Sequence, residues 1–402
     1  MSKTKLPKDW QIKTLGEVCE TTSGGTPSRG NASYYNGTIP WVKSGELNKG
    51  VIYDTEEKIT EEAIKNSSAK IFPKGTLLIA LYGATIGKLA FLGVDAATNQ
   101  AVCGIYQNDS IDSKYIYNFL FHKKQDLVKQ GIGGAQPNIS QTILKKLAIP
   151  LPPLETQQAI VSKLEELFSA LDKGIEDLKT AQQQLKTYRQ SVLKWAFEGK
   201  LTNENVKEGE LPEGWESKTF DDIIEISKEK YKPNNSESKF YIGLEHIEKN
   251  LGVLTPECGI EEIKTLKNKF NTGEILYGKL RPYLNKVYLA KENGVCSTDI
   301  LVLKTRENCN AQFLTHLMLG VDFVNTMSEN TSGVNLPRVS TKFILEYPIK
   351  LPPIKEQQRI VQEIESRLSV ADKMEESIAQ SLQQAEALRQ SILKKVFSGE
   401  LV

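Results

Sequence analysis

An internal repeat constrains this chain more than any other feature of its 402-residue sequence. The segment LPPLETQQAIV at residues 151–161 recurs as LPPIKEQQRIV at residues 351–361. Without any gap, 22 of the 51 positions in 151–201 are identical to their counterparts in 351–401. A match of this length indicates a duplication, so the fold is expected to contain two copies of one unit.

The regions that precede the repeated segments correspond more loosely, for example LPKDW at residues 6–10 and LPEGW at 211–215. We therefore predict four parts, which are listed from the N-terminus: a variable domain at 1–150, a helical segment at 151–206, a second variable domain at 207–350 and a second helical segment at 351–402. Two domains with similar boundary motifs and different sequences between them are expected of a protein that recognises two different targets.

Both repeated segments have the heptad pattern of long helices. Apolar residues recur at alternating steps of four and three from Ile160 through Tyr188 to Trp195, with Gly174 as the weak point. The seam from Ile360 to Val396 is similar but has small register shifts. A Pro-Pro pair precedes each helix, and Gly199 and Gly399 stand where a helix C-cap is expected. A helix over residues 156–198 would be about 65 Å long. Each apolar seam needs a partner, and the other copy is the nearest candidate; a purely structural dimerisation coiled coil is the alternative.

The variable domains have the mixed pattern of α/β globules. Short apolar runs at residues 77–82 and 300–303 predict strands, whereas 114–130 and 311–327 have helical periodicity. The predicted fold class is therefore α+β, with two α/β domains separated by two long helices and with an internal pseudo-twofold repeat.

Several kinds of chain are excluded or disfavoured. No run approaches eighteen apolar residues and the first ten residues lack the core of a signal peptide, so we expect a cytoplasmic protein without membrane contact. The five cysteines are scattered, without a CxxC pair, and are expected to be reduced structural thiols.

The sequence contains no catalytic motif that withstands inspection. GATIGK at residues 83–88 is one residue short of a P-loop and has Leu89 where Ser or Thr would bind magnesium. His122, His246 and His316 have no nucleophile motif nearby. We therefore predict no catalytic residue, no metal site and no cofactor, although a self-contained nucleic-acid enzyme stays open as an alternative.

Polar and basic residues in loops of the first domain suit nucleic-acid contact. The glycine-rich GGTPSR at residues 24–29 offers hydroxyls and a guanidinium, and amide side chains further on can pair bidentately with adenine. The candidate DNA-binding residues are Thr26, Ser28, Arg29, Lys43, Ser44, Tyr82, Lys88, Gln100, Gln136 and Asn138.

The second domain has a denser cluster, because basic residues alternate with aromatics in YGKLRPYLNK at residues 277–286. Arg281 could recognise guanine and Asp299 could accept a hydrogen bond from cytosine. The candidates here are Lys279, Arg281, Tyr283, Lys286, Asp299, Asn335 and Arg338.

The charge balance differs between the two variable domains. Residues 1–150 carry 18 basic and 13 acidic side chains, a net charge of +5, whereas residues 207–350 carry 19 and 21, a net charge of −2. Because phosphate neutralisation supplies much of the affinity for DNA, we expect this chain alone to bind DNA only modestly.

Taken together, these segments resemble the specificity subunit of type I restriction-modification systems. The resemblance covers essentially the whole chain and rests on the two LPP(L/I)xxQQxIV and RQS(V/I)LK segments and the LPxxW starts. TPS at 26–28, IPW at 39–41 and LYGKLRPYLNK at 276–286 also carry it.

The resemblance implies that two target-recognition domains each bind half of a split double-stranded DNA sequence, and that the two helices form an antiparallel coiled coil. It also implies that catalysis belongs to partners. Methyl transfer from S-adenosylmethionine to adenine would be carried out by two modification subunits, and ATP- and magnesium-dependent cleavage by restriction subunits. Base contacts vary with the target in this family, so the candidate residues rest on their chemistry.

Overall fold

The chain folds into two compact units. A computed structural model describes residues 6–48, 50–131, 138–203, 206, 210, 212–233, 237–333 and 335–401. The first unit consists of Met1–Asp177 and Ser381–Val402, and the second consists of Leu178–Gln380. Each unit therefore combines one variable region with the beginning of one long helix and the end of the other.

The described part of the first unit contains two sheets and a strand pair. The pair is β1 (Gln11–Thr14) with β11 (Ala148–Leu151), antiparallel. One sheet has the order β2-β10-β7-β8-β4, formed by β2 (Thr21–Ser23), β4 (Val51–Ile52), β7 (Leu77–Ala80), β8 (Leu89–Leu92) and β10 (Val102–Ile105). The other has the order β5-β3-β9-β6, formed by β3 (Tyr35–Val42), β5 (Lys58–Ile59), β6 (Ile71–Phe72) and β9 (Ala96–Thr98). The shorter helices are α1 (Leu15–Val18), α2 (Glu61–Lys65), α3 (Ser113–Gln130) and α4 (Gln141–Lys145).

The second unit repeats most of this topology over its described residues, without a counterpart of β4 and with one more strand in the other sheet. Strand β12 (Glu216–Thr219) pairs with β24 (Pro348–Leu351) as β1 pairs with β11. One sheet has the order β13-β21-β18-β19, formed by β13 (Ile224–Ile226), β18 (Ile275–Gly278), β19 (Val287–Leu289) and β21 (Ile300–Thr305). The other has the order β14-β17-β20-β15-β16, formed by β14 (Lys230–Tyr231), β15 (Glu237–Ile242), β16 (Gly259–Ile263), β17 (Lys267–Phe270) and β20 (Gly294–Cys296). The pair β22 (Thr331–Ser332) and β23 (Arg338–Val339) follows, and the shorter helices are α6 (Phe220–Ile223), α7 (Ala311–Leu319), α8 (Val321–Glu329) and α9 (Thr341–Leu345).

The two long helices begin and end almost where the sequence predicts. They are α5 (Leu154–Phe197) and α10 (Ile354–Phe397), each 44 residues long. Gly199 and Gly399 have left-handed backbone conformations, with φ of 78° and 76°. The amide of Lys200 donates to the carbonyl of Trp195 at 2.9 Å, which completes a Schellman C-cap. The predicted fold class, with mixed α/β units and long paired helices, is confirmed.

Within each unit the halves of α5 and α10 run antiparallel. In the first unit the Arg389 guanidinium forms an ion pair with Asp172 and lies 4.7 Å above the ring of Phe168. In the second unit the equivalent Arg189 pairs with Asp372 and with Glu375, the latter at 3.1 Å. The repeated Arg of the RQS motif therefore fixes the register of the helix pair in both units.

The end of each long helix completes the core of the other copy's variable region. In the first unit Phe397 packs with its ring centroid 5.4 Å from those of Tyr115 and Phe119. In the second unit Phe197 packs 5.3 Å from Phe313. The helical segments are thus structural parts of both cores as well as connections between them.

The first glutamine of each repeated QQ pair is buried at the start of a long helix. The side-chain oxygen of Gln357 accepts from the Asn310 amide at 2.7 Å, while its nitrogen donates to the carbonyls of Asn308 and Pro352 at 2.9 and 2.8 Å. Gln157 makes the same kind of contact with the Asp112 amide, at 2.9 Å. These glutamines fasten the Pro-Pro turn to the N-terminus of α3 or α7.

Two details differ from the sequence predictions. The helix expected over residues 311–327 is interrupted at Gly320, whose ψ of 144° separates α7 from α8. The heptad seam is only partly buried, because Tyr188, Trp195, Met374 and Leu388 lie exposed. Beside Trp195, the buried side chains are Leu193 and Ala196, which lie outside the predicted seam. Among the residues that the structure describes, no helix has the length and apolarity needed to cross a membrane.

Candidate nucleic-acid interface

The loop that joins β18 to β19 in the second unit is the centre of the candidate site. The Lys279 amide donates to the Asp299 carbonyl at 3.1 Å, and the Arg281 amide donates to the Pro337 carbonyl at 2.7 Å. The Val339 amide returns a bond to the Lys279 carbonyl, also at 3.1 Å. Three stretches that are distant in sequence, at 279–286, 297–299 and 335–338, are thereby brought together.

Asp299 and Arg338 form an ion pair across this cluster. Nε of Arg338 lies 3.1 Å from Oδ1 of Asp299, and Nη2 lies 3.4 Å from Oδ2. The remaining terminal nitrogen, Nη1, donates to the Leu336 carbonyl at 3.4 Å. The two side chains remain 40% and 31% exposed, so the pair lies at the surface. Two residues that the sequence offered as separate contacts therefore act together.

The tip of the loop has an unusual backbone, from which Arg281 and Tyr283 point outward while Asn285 is buried. Arg281 and Asn285 both have left-handed conformations, with φ of 52° and 44°, on either side of the 3-10 turn Pro282–Leu284. Such conformations cost roughly 1–2 kcal/mol for residues other than glycine. Arg281 is exposed and Tyr283 is 49% exposed. Because the loop is pinned by the Pro337 carbonyl, these two side chains project from a defined backbone.

Lys286 differs from the other basic candidates because its ammonium group is bonded to backbone carbonyls of the fold. Its ammonium group donates to the carbonyls of Leu244 and Ile247 at 2.6 and 2.8 Å, which commits two of its three N–H groups to the fold. It therefore fastens the 244–247 segment to the hairpin. Asn335, by contrast, is exposed beside the Arg338 segment.

The first unit has an equivalent arrangement. Tyr82 and Asn138 form an isolated antiparallel bridge, as Leu280 and Arg338 do in the second unit. The Leu81 amide donates to the Ala101 carbonyl at 2.8 Å, which corresponds to the bond between Lys279 and Asp299. Position 138 therefore corresponds to 338, and position 101 to 299. The same set of backbone hydrogen bonds, called the frame below, therefore carries different side chains in the two units.

Two other candidates of the first unit, Thr26 and Gln100, lie beside Ala101. The Thr26 hydroxyl donates to the Gln100 side-chain oxygen, which links the 24–29 loop to the 99–101 loop. Tyr82 is 43% exposed and Ser28 is exposed, whereas Lys88 and Ser44 are half-buried. Gln136 lies outside the described residues.

Arg29 and Lys43 converge on two acidic partners, Glu56 and Glu57, that no sequence motif indicates. Nη1 of Arg29 lies 2.6 Å from the Glu57 carboxylate, and Nζ of Lys43 lies 3.0 Å from both Glu57 and Glu56. The Arg29 guanidinium also lies 4.7 Å above the ring of Tyr35. Hydrogen bonds from Arg29 and then from Lys43 lower the pKa of Glu57. A spacing of 28 residues between Arg29 and Glu57 left no local signal for this network.

Burial shifts the pKa values of a histidine and several cysteines. Burial lowers the pKa of His316 to about 4, so its imidazole is neutral. Burial raises the pKa of the Cys19 and Cys103 thiols to about 11 and those of Cys296 and Cys309 to about 12. In the described part of the chain, no group of three or more His, Cys, Asp or Glu residues is placed to hold a metal ion.

Comparisons with known proteins cover the whole chain. The family model for the type I restriction modification DNA specificity domain matches residues 7–180 and 212–384. The type I restriction enzyme EcoDI specificity subunit from Escherichia coli is 27% identical over 425 residues, which span 100% of this chain and 90% of that protein. The MjaIX specificity subunit from Methanocaldococcus jannaschii is 28% identical over 420 residues, spanning 99% of this chain and 94% of that one.

Two solved structures have the same fold. A chain from a structure of complex assembly and conformational transition of the type I R-M system gives a TM-score of 0.79 at 20% identity, covering 99% of this chain and 100% of that one. The HsdS subunit from Thermoanaerobacter tengcongensis gives a TM-score of 0.58, also at 20% identity, covering 99% and 98%.

Proposed function

The chain belongs to the type I restriction modification DNA specificity family, and we propose that it recognises an asymmetric, two-part double-stranded DNA target. Residues 1–150 bind one half of the target and residues 207–350 bind the other. The observation that carries this proposal is the repeated frame, in which Tyr82 and Asn138 of the first unit correspond to Leu280 and Arg338 of the second. A common frame with different side chains suits two half-sites of different sequence.

The DNA-contacting set that we propose keeps the described candidates, with two refinements, and Asp299 belongs to it through its ion pair with Arg338. Arg281, Tyr283, Lys279 and Asn335 offer exposed or half-buried side chains on or beside the pinned loop, as Tyr82, Asn138, Thr26 and Gln100 do in the first unit. Lys286 contributes mainly by holding the loop, since two of its donors are occupied. Arg29 and Lys43 reach DNA only by exchanging Glu57 for another anion.

The helical segments at 151–206 and 351–402 set the separation of the two half-sites and bind partners. Each of the long helices has 44 residues, which corresponds to about 66 Å. Equivalent apolar side chains are exposed in both copies, Leu154 with Ile354 and Tyr188 with Leu388. Two equivalent surfaces suit two copies of one partner, as the two modification subunits would be.

We assign catalysis to these partners. S-adenosylmethionine-dependent methylation would take place in the modification subunits and ATP-dependent cleavage in restriction subunits, all in the cytoplasm. The chain would select the DNA that they modify or cut.

The direct test is methylome sequencing of a host that carries the complete system. We expect one asymmetric, two-part motif that disappears when this chain is deleted. Methylation of the DNA without any sequence preference would indicate that the chain is a structural adaptor instead. Methylation or cleavage by the isolated chain, incubated with DNA and cofactors, would indicate a self-contained enzyme.

A point variant tests the recognition loop. Arg281→Ala should weaken binding of the assembled complex by about 1–3 kcal/mol and relax preference at one position, if the guanidinium contacts a base. Lys291→Ala is the matched control, because it removes an exposed cation beyond the far end of β19. Equal weakening on all sequences would make Arg281 a phosphate contact.

Insertion of one heptad into each long helix tests the role of the helices. Seven residues add about 10 Å, which corresponds to about three base pairs of B-DNA if it is fully transmitted. The spacer of the methylated motif should lengthen in an active complex. An active complex with an unchanged spacer would refute this role.

A further inference from the structure

The guanidinium of Arg338 is held along one edge and free along another. Nε and Nη2 face the two carboxylate oxygens of Asp299, at 3.1 and 3.4 Å, so this side edge of the guanidinium is occupied. Nη1 donates one hydrogen to the Leu336 carbonyl at 3.4 Å. A guanidinium has five N–H donors. One hydrogen on Nη1 and one on Nη2 therefore remain, and with the Leu336 carbonyl on the outer hydrogen of Nη1 both lie at the end edge and point the same way.

Two parallel N–H donors match one base edge in the major groove. Guanine presents the acceptors O6 and N7 side by side there, and a bidentate arginine is the commonest specific contact with it. Adenine presents one acceptor and one donor at the same place, so the donor pair discriminates against it. The free edge of Arg338 thus has the chemistry of a guanine contact.

Both ends of the ion pair are fixed to the frame of the second unit. Arg338 lies at the start of β23, where it bridges to Leu280, and the Lys279 amide holds the backbone of Asp299. A salt bridge this exposed contributes little to stability, with a median of about 0–1 kcal/mol. Its consequence is geometric, because it limits the rotamers of a long side chain before DNA binds.

We propose that Arg338 recognises a guanine in the half-site bound by the second unit, and that Asp299 is the positioning residue that orients its guanidinium. This inference rests on the proposed function and replaces the expectation that Asp299 accepts a hydrogen bond from cytosine. The corresponding positions of the first unit are Ala101 and Asn138, which form no such ion pair. The first half-site therefore serves as a control within the same molecule.

The experiment uses the chain assembled with its modification subunits, after methylome sequencing has given the motif. Binding is measured by competition with duplexes that carry single substitutions at each specified position of both half-sites. The variants are Arg338→Ala, Asp299→Asn and the combination of the two. Glu216→Gln is the control, because it neutralises a carboxylate in an exposed ion pair on β12, 3.0 Å from Lys218. Thermal melts confirm that each variant is folded.

We expect Arg338→Ala to lower discrimination about 5- to 150-fold at a single G·C pair of one half-site. Asp299→Asn should lower discrimination at the same pair by a smaller factor. The double variant should be no worse than Arg338→Ala, since Asp299 acts through Arg338. Discrimination in the other half-site, and in the Glu216→Gln control, should be unchanged.

Three results would overturn the inference while leaving the proposed function intact. Asp299→Asn could relax a different position, which would make Asp299 a base contact. Arg338→Ala could weaken all duplexes equally, which would make it a phosphate contact. The third such result is that neither variant changes discrimination at any G·C pair. The absence of any two-part motif, by contrast, would refute the proposed function itself.

Discussion

Gln357 gives the sharpest test of how the repeated motif builds the fold. The side chain is fully buried and forms three hydrogen bonds, to the Asn310 amide and to the carbonyls of Asn308 and Pro352. Replacement by alanine leaves all three backbone groups without their partner. At about 1 kcal/mol for each bond, Gln357→Ala should reduce the free energy of unfolding of the second unit by about 3 kcal/mol.

The chain supplies two controls for this prediction. Gln358 is the next residue and is exposed, so Gln358→Ala should change stability by less than about 0.5 kcal/mol. Gln157 makes two comparable bonds, to the Asp112 amide and the Pro152 carbonyl, so Gln157→Ala should cost about 2 kcal/mol in the first unit.

Urea unfolding combined with hydrogen exchange measures these effects separately. The change caused by Gln357→Ala should appear as faster exchange of the Asn310 amide and of the first turn of α7, residues 311–314. The first unit should keep its exchange rates. If Gln357→Ala costs no more than Gln358→Ala, the buried hydrogen bonds do not stabilise the fold and the reasoning is wrong.

Three further predictions concern packing, pH and thiol chemistry. Phe397→Ala should destabilise the first unit by about 3–5 kcal/mol, because Tyr115 and Phe119 lose an aromatic neighbour; hydrogen exchange should show faster opening of α3 and unchanged α7. The second unit should lose stability as the pH falls from about 6.5 towards 4, at up to about 1.4 kcal/mol per pH unit, because the His316 imidazole takes up a proton only in the unfolded chain. Urea unfolding at pH 7 and pH 5 should show a smaller loss of stability in His316→Leu than in the parent chain. Cys258 is the most exposed cysteine and should react first with a thiol reagent, whereas the four buried cysteines should react only after denaturant is added.

The features that follow from short stretches of sequence were predictable. Pro-Pro pairs and Gly199 or Gly399 mark the ends of α5 and α10 to within two residues, because these residue types restrict the backbone locally. The repeat predicted that one topology occurs twice.

The features that depend on distant residues were not predictable. Asp299 and Arg338 are 39 residues apart, and no periodic pattern relates them. The seam assigned to Trp195 and Tyr188 fails because the globular part of each unit, and not only the partner helix, decides which face of the helix is buried. Gly320 interrupts a helix whose periodicity continues through it, since α7 and α8 pack separately against the core.

The candidate recognition surface of each unit pairs one arginine with a carboxylate. Arg29 meets Glu57 in the first unit and Arg338 meets Asp299 in the second. A guanidinium that is already neutralised gains little from a phosphate, because one anion replaces another, but it keeps a fixed direction that favours one base edge. This arrangement gives discrimination at the cost of affinity. Because the counts of 51 basic and 50 acidic residues are also nearly balanced, we expect most of the phosphate binding in the proposed complex to come from the partner subunits.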